Sequence, residues 1–203
     1  MPETYPKIDI YWSFEKDKAK EYKVAFSHLV FGQIDALGDS TVGVAIVEGM
    51  RRAIPIAITK PDLISYISSR LSMAALFSDD YFPAILLEQM YFDAMRINPV
   101  VRTNIYHEIG HFFMKHVNRS PDNAREIAVG RAEAHLKGEV FWQEREADAF
   151  ACHYVGKETM IAHLNELKRI TKKLAKSDRQ FSNELSVHLE EIDQRIQLIQ
   201  EAF

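Results

Sequence analysis

The sequence predicts an α+β fold, and three observations carry that prediction. Period-two alternation and β-branched apolar runs recur through the first ninety residues, as half-buried strands require. From Asn98 onward the apolar positions recur at helical spacing. Helix-opening and helix-closing signals mark those later stretches: Asn98-Pro99 and Ser120-Pro121 at starts and Gly156 at an end, with Gly138 expected to interrupt the helix that Ser120-Pro121 opens. With 203 residues, 47% of them apolar, the chain can bury the core of one domain, or of one domain with an appendage.

Taken in order, "KIDIYWSF" alternates over Ile8, Ile10 and Trp12 and reads as a short strand. A helix follows, with Phe26, Leu29, Val30, Ile34 and Leu37 near one face and Gly38 as its stop. "STVGVAIVEGMRRAIPIAITK" reads as two β-rich runs around Glu48 to Arg52, a hairpin. "PDLISYISSRLSMAALF" reads as a helix with Pro61 near its start, and "PAILLEQMYF" as a strand. The helix opened by Asn98 and Pro99 should run to about Val117, and "EVFWQEREADAFACHYV" should form another, closed by Gly156. In the charged C-terminal stretch, Leu185, Leu189, Ile192, Ile196 and Ile199 make an apolar stripe. Five positions fall short of a sustained heptad array, so the stripe is expected to pack on its own domain, with a homodimer seam as the alternative. The expected organisation is an α/β part or lobe over 1–82, a core over 83–175 and a C-terminal helix over 176–203, compact as a whole.

Charge and cysteine content exclude several classes. The net charge is −4 and no long basic run is present, which argues against nucleic acid as a direct partner. The single cysteine, Cys152, excludes a disulfide framework and a Cys-rich zinc finger, and reads as a small buried apolar residue. The start "MPETYPKIDIYW" lacks the basic and apolar regions of a signal peptide, and no window approaches the apolar length of a membrane span. A soluble, cytoplasmic protein is expected.

The chemistry concentrates in "YHEIGHFFMKH", Tyr106 to His116. His107 and His111 are one helical turn apart and project from one face, where two neutral imidazoles can take adjacent corners of a tetrahedral Zn²⁺ site. Glu108 sits beside the first of them, rotated round the helix, where its carboxylate can reach a metal-bound water without ligating the metal. Such a spacing arises by accident in about one chain in a hundred or two of this length. Ile109, Phe112 and Phe113 make the helix at least half buried, and two unpaired histidines there would be costly. Gly110 costs up to ~1 kcal/mol against alanine inside a helix, which close approach of another backbone or a substrate would explain. A catalytic zinc needs a third ligand from a separate segment. "EREADAFA" supplies Glu144, with Asp148 one turn on to accept a hydrogen bond from the outer nitrogen of a ligand histidine. Glu146 points elsewhere, and Ala147 and Ala151 would let two helices approach closely.

"HEIGH" followed by "EREADAFA" resembles the gluzincins, zinc metallopeptidases with H-E-x-x-H and a downstream E-x-x-A-D or E-x-x-A-N. Glu144, Ala147 and Asp148 match the E-x-x-A-D of the HtpX and CAAX-protease family. The H-E-I-G-H and E-x-E-A-x-x-F-A pattern is similar to the small soluble ImmA/IrrE proteins, which more often carry Asn at the position of Asp148. The resemblance covers roughly residues 84 to 170. It implies a zincin-like (minigluzincin) domain, with a small, mostly antiparallel sheet packed on the active-site helix and a helical C-terminal half. It also implies zinc on His107, His111 and Glu144, with Glu108 as the base. The chain lacks the membrane spans of the HtpX and CAAX proteases. Their later His-Pro segment with an Arg six residues on is matched only by His188 and Arg195, seven apart and without the Pro. The oxyanion partner therefore stays open among His188, Arg195, His135, His153 and Tyr154, while His28, His116 and His163 read as surface or boundary residues.

The activity expected is hydrolysis of peptide bonds in a protein or peptide. Zn²⁺ would acidify a bound water and polarise the scissile carbonyl, and Glu108 would carry the proton to the leaving amine. An extended substrate would lie beside an edge strand, with Val42 to Val47, Ile54 to Ile58 and Ala84 to Glu88 as candidates. Two alternatives remain: a non-catalytic zinc domain, and a regulatory protein that binds or cuts a partner such as a phage or mobile-element repressor.

Overall fold

The computed structural model describes residues 5–30, 33–34, 37–59, 74–78, 83–116, 121–177 and 182–202. They divide into two compact units, the first ending at Phe92 and the second running from Asp93.

The first unit carries the strands β1 (Ile8–Trp12), β2 (Thr41–Val47), β3 (Ile54–Thr59), β4 (Ala74–Ser78) and β5 (Pro83–Glu88), with helix α1 (Ala19–Phe26) between the first two. They form one mixed sheet in the order β1-β2-β3-β5-β4. Three of its four pairings are antiparallel, and β3 runs parallel to β5 with Ile56 opposite Ile85. The inner strands β2, β3 and β5 are apolar almost without a break because they are buried along nearly their whole length. Ala25 and Leu29 cluster with Val44 and Ala53, while Ala57, Ala84 and Leu86 form a separate apolar cluster with Leu37. Gly43 lies under the Trp12 ring, where a Cβ would come within 2.9 Å of Cε3.

Several expectations change here. The first helix ends at Phe26 rather than continuing to Leu37, although Gly38 does turn the chain, with φ of +44°. The helix expected over Pro61 to Phe77 lies outside the described residues up to 73, and Ala74 to Phe77 belong to β4. "PAILLEQMYF" is strand only to Glu88; Gln89 begins helix α2 (Gln89–Ile97). The three strands expected to offer an edge to substrate are all interior, because the sheet's edges are β1 and β4.

The second unit is helical. Asn98 caps a 3-10 turn over Pro99–Arg102, its side chain accepting from the Val100 amide, and α3 (Thr103–Phe113) follows. The helix thus opens where expected, but its first turn is 3-10 and it closes at Phe113. Next come α4 (Pro121–Leu136), α5 (Trp142–Val155), α6 (Lys157–Ser177) and α7 (Ser182–Ala202). Gly156, with φ of +79°, follows α5 as the sequence predicts, whereas Gly138, expected to interrupt a helix, follows the end of α4 with φ of +69°. α3 packs closely on α5. A Cβ on Gly110 would stand 3.2 Å from the Ala147 Cα and 3.1 Å from the Phe150 Cβ, so the glycine is explained by a neighbouring backbone. α6 and α7 form an antiparallel hairpin, with Lys157 donating to the Gln200 carbonyl and Lys168 paired with Asp193. Within it Ile192 and Ile199 are buried and Leu189 and Ile196 half-buried, so that much of the stripe packs within the chain.

Candidate metal centre

α3 supplies two imidazoles on one face. The His107 and His111 Nε2 atoms face each other at 3.0 Å. α5 lies against α3 closely because Gly110 and Ala147 have almost no side chain to hold the helices apart. The approach brings Glu144 Oε2 to 3.2 Å from His107 Nε2, and Oε1 to 3.8 Å from His111 Nε2. One donor atom from each of His107, His111 and Glu144 lies within 4.8 Å of the others, so the three could hold a metal ion. Two ligand nitrogens on a tetrahedral zinc stand about 3.3 Å apart, given Zn–N bonds of about 2.0–2.1 Å. The donor set, its spacing and its burial all fit a small divalent cation.

Both histidines are held from behind. His107 Nδ1 donates to Asp148 Oδ1 at 2.8 Å. Asp148 in turn takes two bonds from Arg195, Nε at 2.7 Å and Nη2 at 2.5 Å. His111 Nδ1 lies 3.1 Å from His116 Nδ1, and His116 Nε2 lies 2.9 Å from Glu146 Oε2. These contacts turn each Nε2 toward its neighbour. Arg131, its guanidinium also over the Phe141 ring, donates to Glu144 Oε1 at 2.5 Å, which leaves Oε2 facing His107.

Electrostatics follow from this packing. Burial pulls the His107 pKa down, but its hydrogen bonds to Asp148 and Glu144 outweigh that and hold it at about 9. Burial drives His111 down to about 3 against the pull of Glu144. Burial would raise Glu144, yet Arg131 first and then the two histidines keep it well below the usual carboxylate range.

Glu108 is buried next to His107, and Asn104, one turn earlier, donates to its Oε1 at 3.2 Å. Arg195 is buried beneath Asp148 and stands 3.7 Å from Glu144 Oε2. His188 pairs at 4.0 Å with Glu191 instead. His135 lines a small cleft with Arg131 and Phe141, His153 is exposed, and Tyr154 stacks on Tyr106 at 5.2 Å. His28 is exposed as expected, but His116 and His163 are buried, against expectation. Helix spacing could have flagged Asn104, four residues before Glu108. Nothing local marks Arg131 or His116. No known protein family, curated protein or solved structure matches the chain.

Proposed function

We propose that this protein is a zinc-dependent metallopeptidase of the gluzincin type, acting on a protein or peptide. The reading rests on one observation above all. His107, His111 and Glu144 converge from two helices with Glu108 on the same turn as the first histidine, and Asp148 sits behind that histidine. Bound there, zinc would supply a Lewis acid for the scissile carbonyl and a more acidic water. Glu108 accepts the proton of the attacking water and returns it to the leaving amine. Asn104 donates to one oxygen of the Glu108 carboxylate and so helps to orient it for that transfer. Asp148, neutralised by Arg195, fixes the His107 tautomer so that Nε2 keeps its lone pair for the metal. Arg131 on one Glu144 oxygen favours ligation through the other. A structural zinc is normally closed by four protein ligands, whereas the group found among the described residues has three.

Metal content and proteolysis of a denatured protein, measured together, test the proposal. Wild type should hold about one zinc per chain, as one such site requires. Glu144→Gln should lose zinc affinity. Glu108→Gln should keep the zinc and lose activity by about 10²-fold or more. Wild type that cannot be loaded with zinc would end the reading. Zinc held without hydrolysis of any protein would leave a binding or regulatory role in its place.

A further inference from the structure

His116 lies outside the ligand group and outside the proton-transfer step proposed above. It is nevertheless almost fully buried, with a side chain 1% exposed. Both its ring nitrogens are engaged, Nδ1 with His111 Nδ1 and Nε2 with Glu146 Oε2. The Trp142 ring stands edge-on to it, centroids 5.0 Å apart at 87°, and fixes its plane.

The backbone delivers it there. After Phe113 the chain closes α3 with a Schellman motif: the His116 amide bonds the His111 carbonyl at 2.9 Å, and the Lys115 amide bonds that of Phe112 at 3.1 Å. Lys115 takes the left-handed conformation the motif needs, with φ of +60°. This cap sets the second residue after the C-cap, Met114, over the residue three positions before that C-cap, usually in an apolar contact. Here those residues are His116 and His111, and the contact is a ring-to-ring hydrogen bond.

Only one direction of that bond leaves His111 able to ligate through Nε2. Its Nδ1 must carry the hydrogen and donate it. His116 Nδ1 must then accept, so His116 carries its hydrogen on Nε2 and donates it to the Glu146 carboxylate. The hydrogen bonds alternate without conflict from Glu146 to the lone pair of His111 Nε2. We infer that His116 is a positioning residue that, backed by Glu146, fixes the tautomer and ring orientation of His111 for metal binding. It is the counterpart on the second histidine of what Asp148 and Arg195 do for the first. The inference rests on the metal reading proposed above.

The test uses the two amide replacements, which mimic opposite ring nitrogens. His116→Asn offers an oxygen near the place of Nδ1 and can still accept from His111. His116→Gln reaches the place of Nε2, keeps Glu146 and gives His111 nothing. Zinc and cobalt(II) affinities are measured on the full chain by competition with a chelator, with cobalt absorption as a spectroscopic signature and circular dichroism confirming the fold. Loss of such a supporting contact typically costs 10- to 100-fold in metal affinity. His116→Gln should show that loss and an altered cobalt spectrum, and His116→Asn should recover most of the affinity and the wild-type spectrum. Nitrogen-15 spectra of zinc-loaded wild type should show the His116 hydrogen on Nε2. If wild type binds zinc and both variants bind it equally well, or if His116 carries its hydrogen on Nδ1, the inference is overturned while the metal centre stands. If wild type takes up neither metal, both readings fall together.

Discussion

In the unit that carries the sheet, the buried polar side chains among the described residues are Gln33 and Thr41. In the helical unit they include His107, Glu108, His116, Glu144, Asp148, His163, Glu191 and Arg195. Gln33 is satisfied locally, accepting from the Val30 amide and donating to the Ala53 carbonyl. Burying uncharged, hydrogen-bonded groups among Val, Ile, Leu and Ala costs little, and apolar burial holds that unit together. The helical unit instead buries several charges, each tolerable only because an opposite charge or a donor faces it. Such a network is a poor source of stability, and its presence is better explained by what the centre does.

The contrast breaks most visibly at Arg195. Arg195→Met leaves Asp148 buried with its main counter-charge gone, which typically destabilises a fold by about 3–5 kcal/mol. The loss should appear as a lower urea midpoint, with hydrogen exchange accelerated in the helical unit. Adding Asp148→Asn should recover part of it, since the second change removes the stranded charge. If Arg195→Met unfolds like wild type, the charged interior is not held by pairing.

Acid should separate the two units next. Burial lowers the His163 pKa from 6.5 to about 3, a weak interaction with the Val100 backbone notwithstanding. The unfolded chain therefore binds that proton first, and stability drops as pH falls from 6.5 toward 3. Asp148 and Glu144 are also held below their ordinary values, so their contributions are present above the unfolded pKa and lost as pH falls through the folded one. In metal-free protein His107 has the opposite sign: its contribution is full below 6.5 and fades as pH rises through about 9, whereas zinc would hold it neutral. Acid should thus open the helical unit before the sheet-bearing one. His163→Leu should flatten the part of the slope nearest neutrality, where a single such proton is worth up to about 1.4 kcal/mol per pH unit. Denaturant unfolding at several pH values checks this; an unchanged slope counts against it.

The sequence made the two motif halves legible for a physical reason. His107 with His111, and Glu144 with Asp148, are each one turn apart, and a helix converts that spacing into a shared face. Gly110 and Ala147 announced a close helix contact because small residues inside helices need an explanation, and the contact is there. The groups that spacing could not reveal are those brought in by tertiary packing. Arg131 comes to Glu144 from a separate helix, and Arg195 reaches Asp148 from 47 residues away. In the sheet, Ala74 to Phe77 read as helix because Ala and Leu favour it, yet pairing with β5 decides their state. "QMYF" misled in the other direction, its apolar residues suggesting more strand where Gln89 and Met90 begin a helix.

The smallest effect bears on where the chain stores strain. In the sheet-bearing unit the described residues with positive φ are Gly38 and Gly49; in the helical unit they are Gly138, Gly156 and Lys115. Lys115 alone carries a Cβ, in a conformation that costs an L-residue roughly 1–2 kcal/mol. Its side chain is exposed, so burial does not repay that cost. Lys115→Gly removes the clash but adds freedom to the unfolded chain, which offsets part of the gain. The net expected is a stabilisation of up to about 1 kcal/mol, read as a higher urea midpoint with unchanged slope. The turn itself should survive, because glycine is the commonest residue at that position of a helix-ending motif. Zinc affinity should then stay at the wild-type level, since His116 still reaches His111. A glycine variant that is more stable but binds zinc less tightly would show that the lysine's restricted backbone, rather than the cap alone, holds His116 in register.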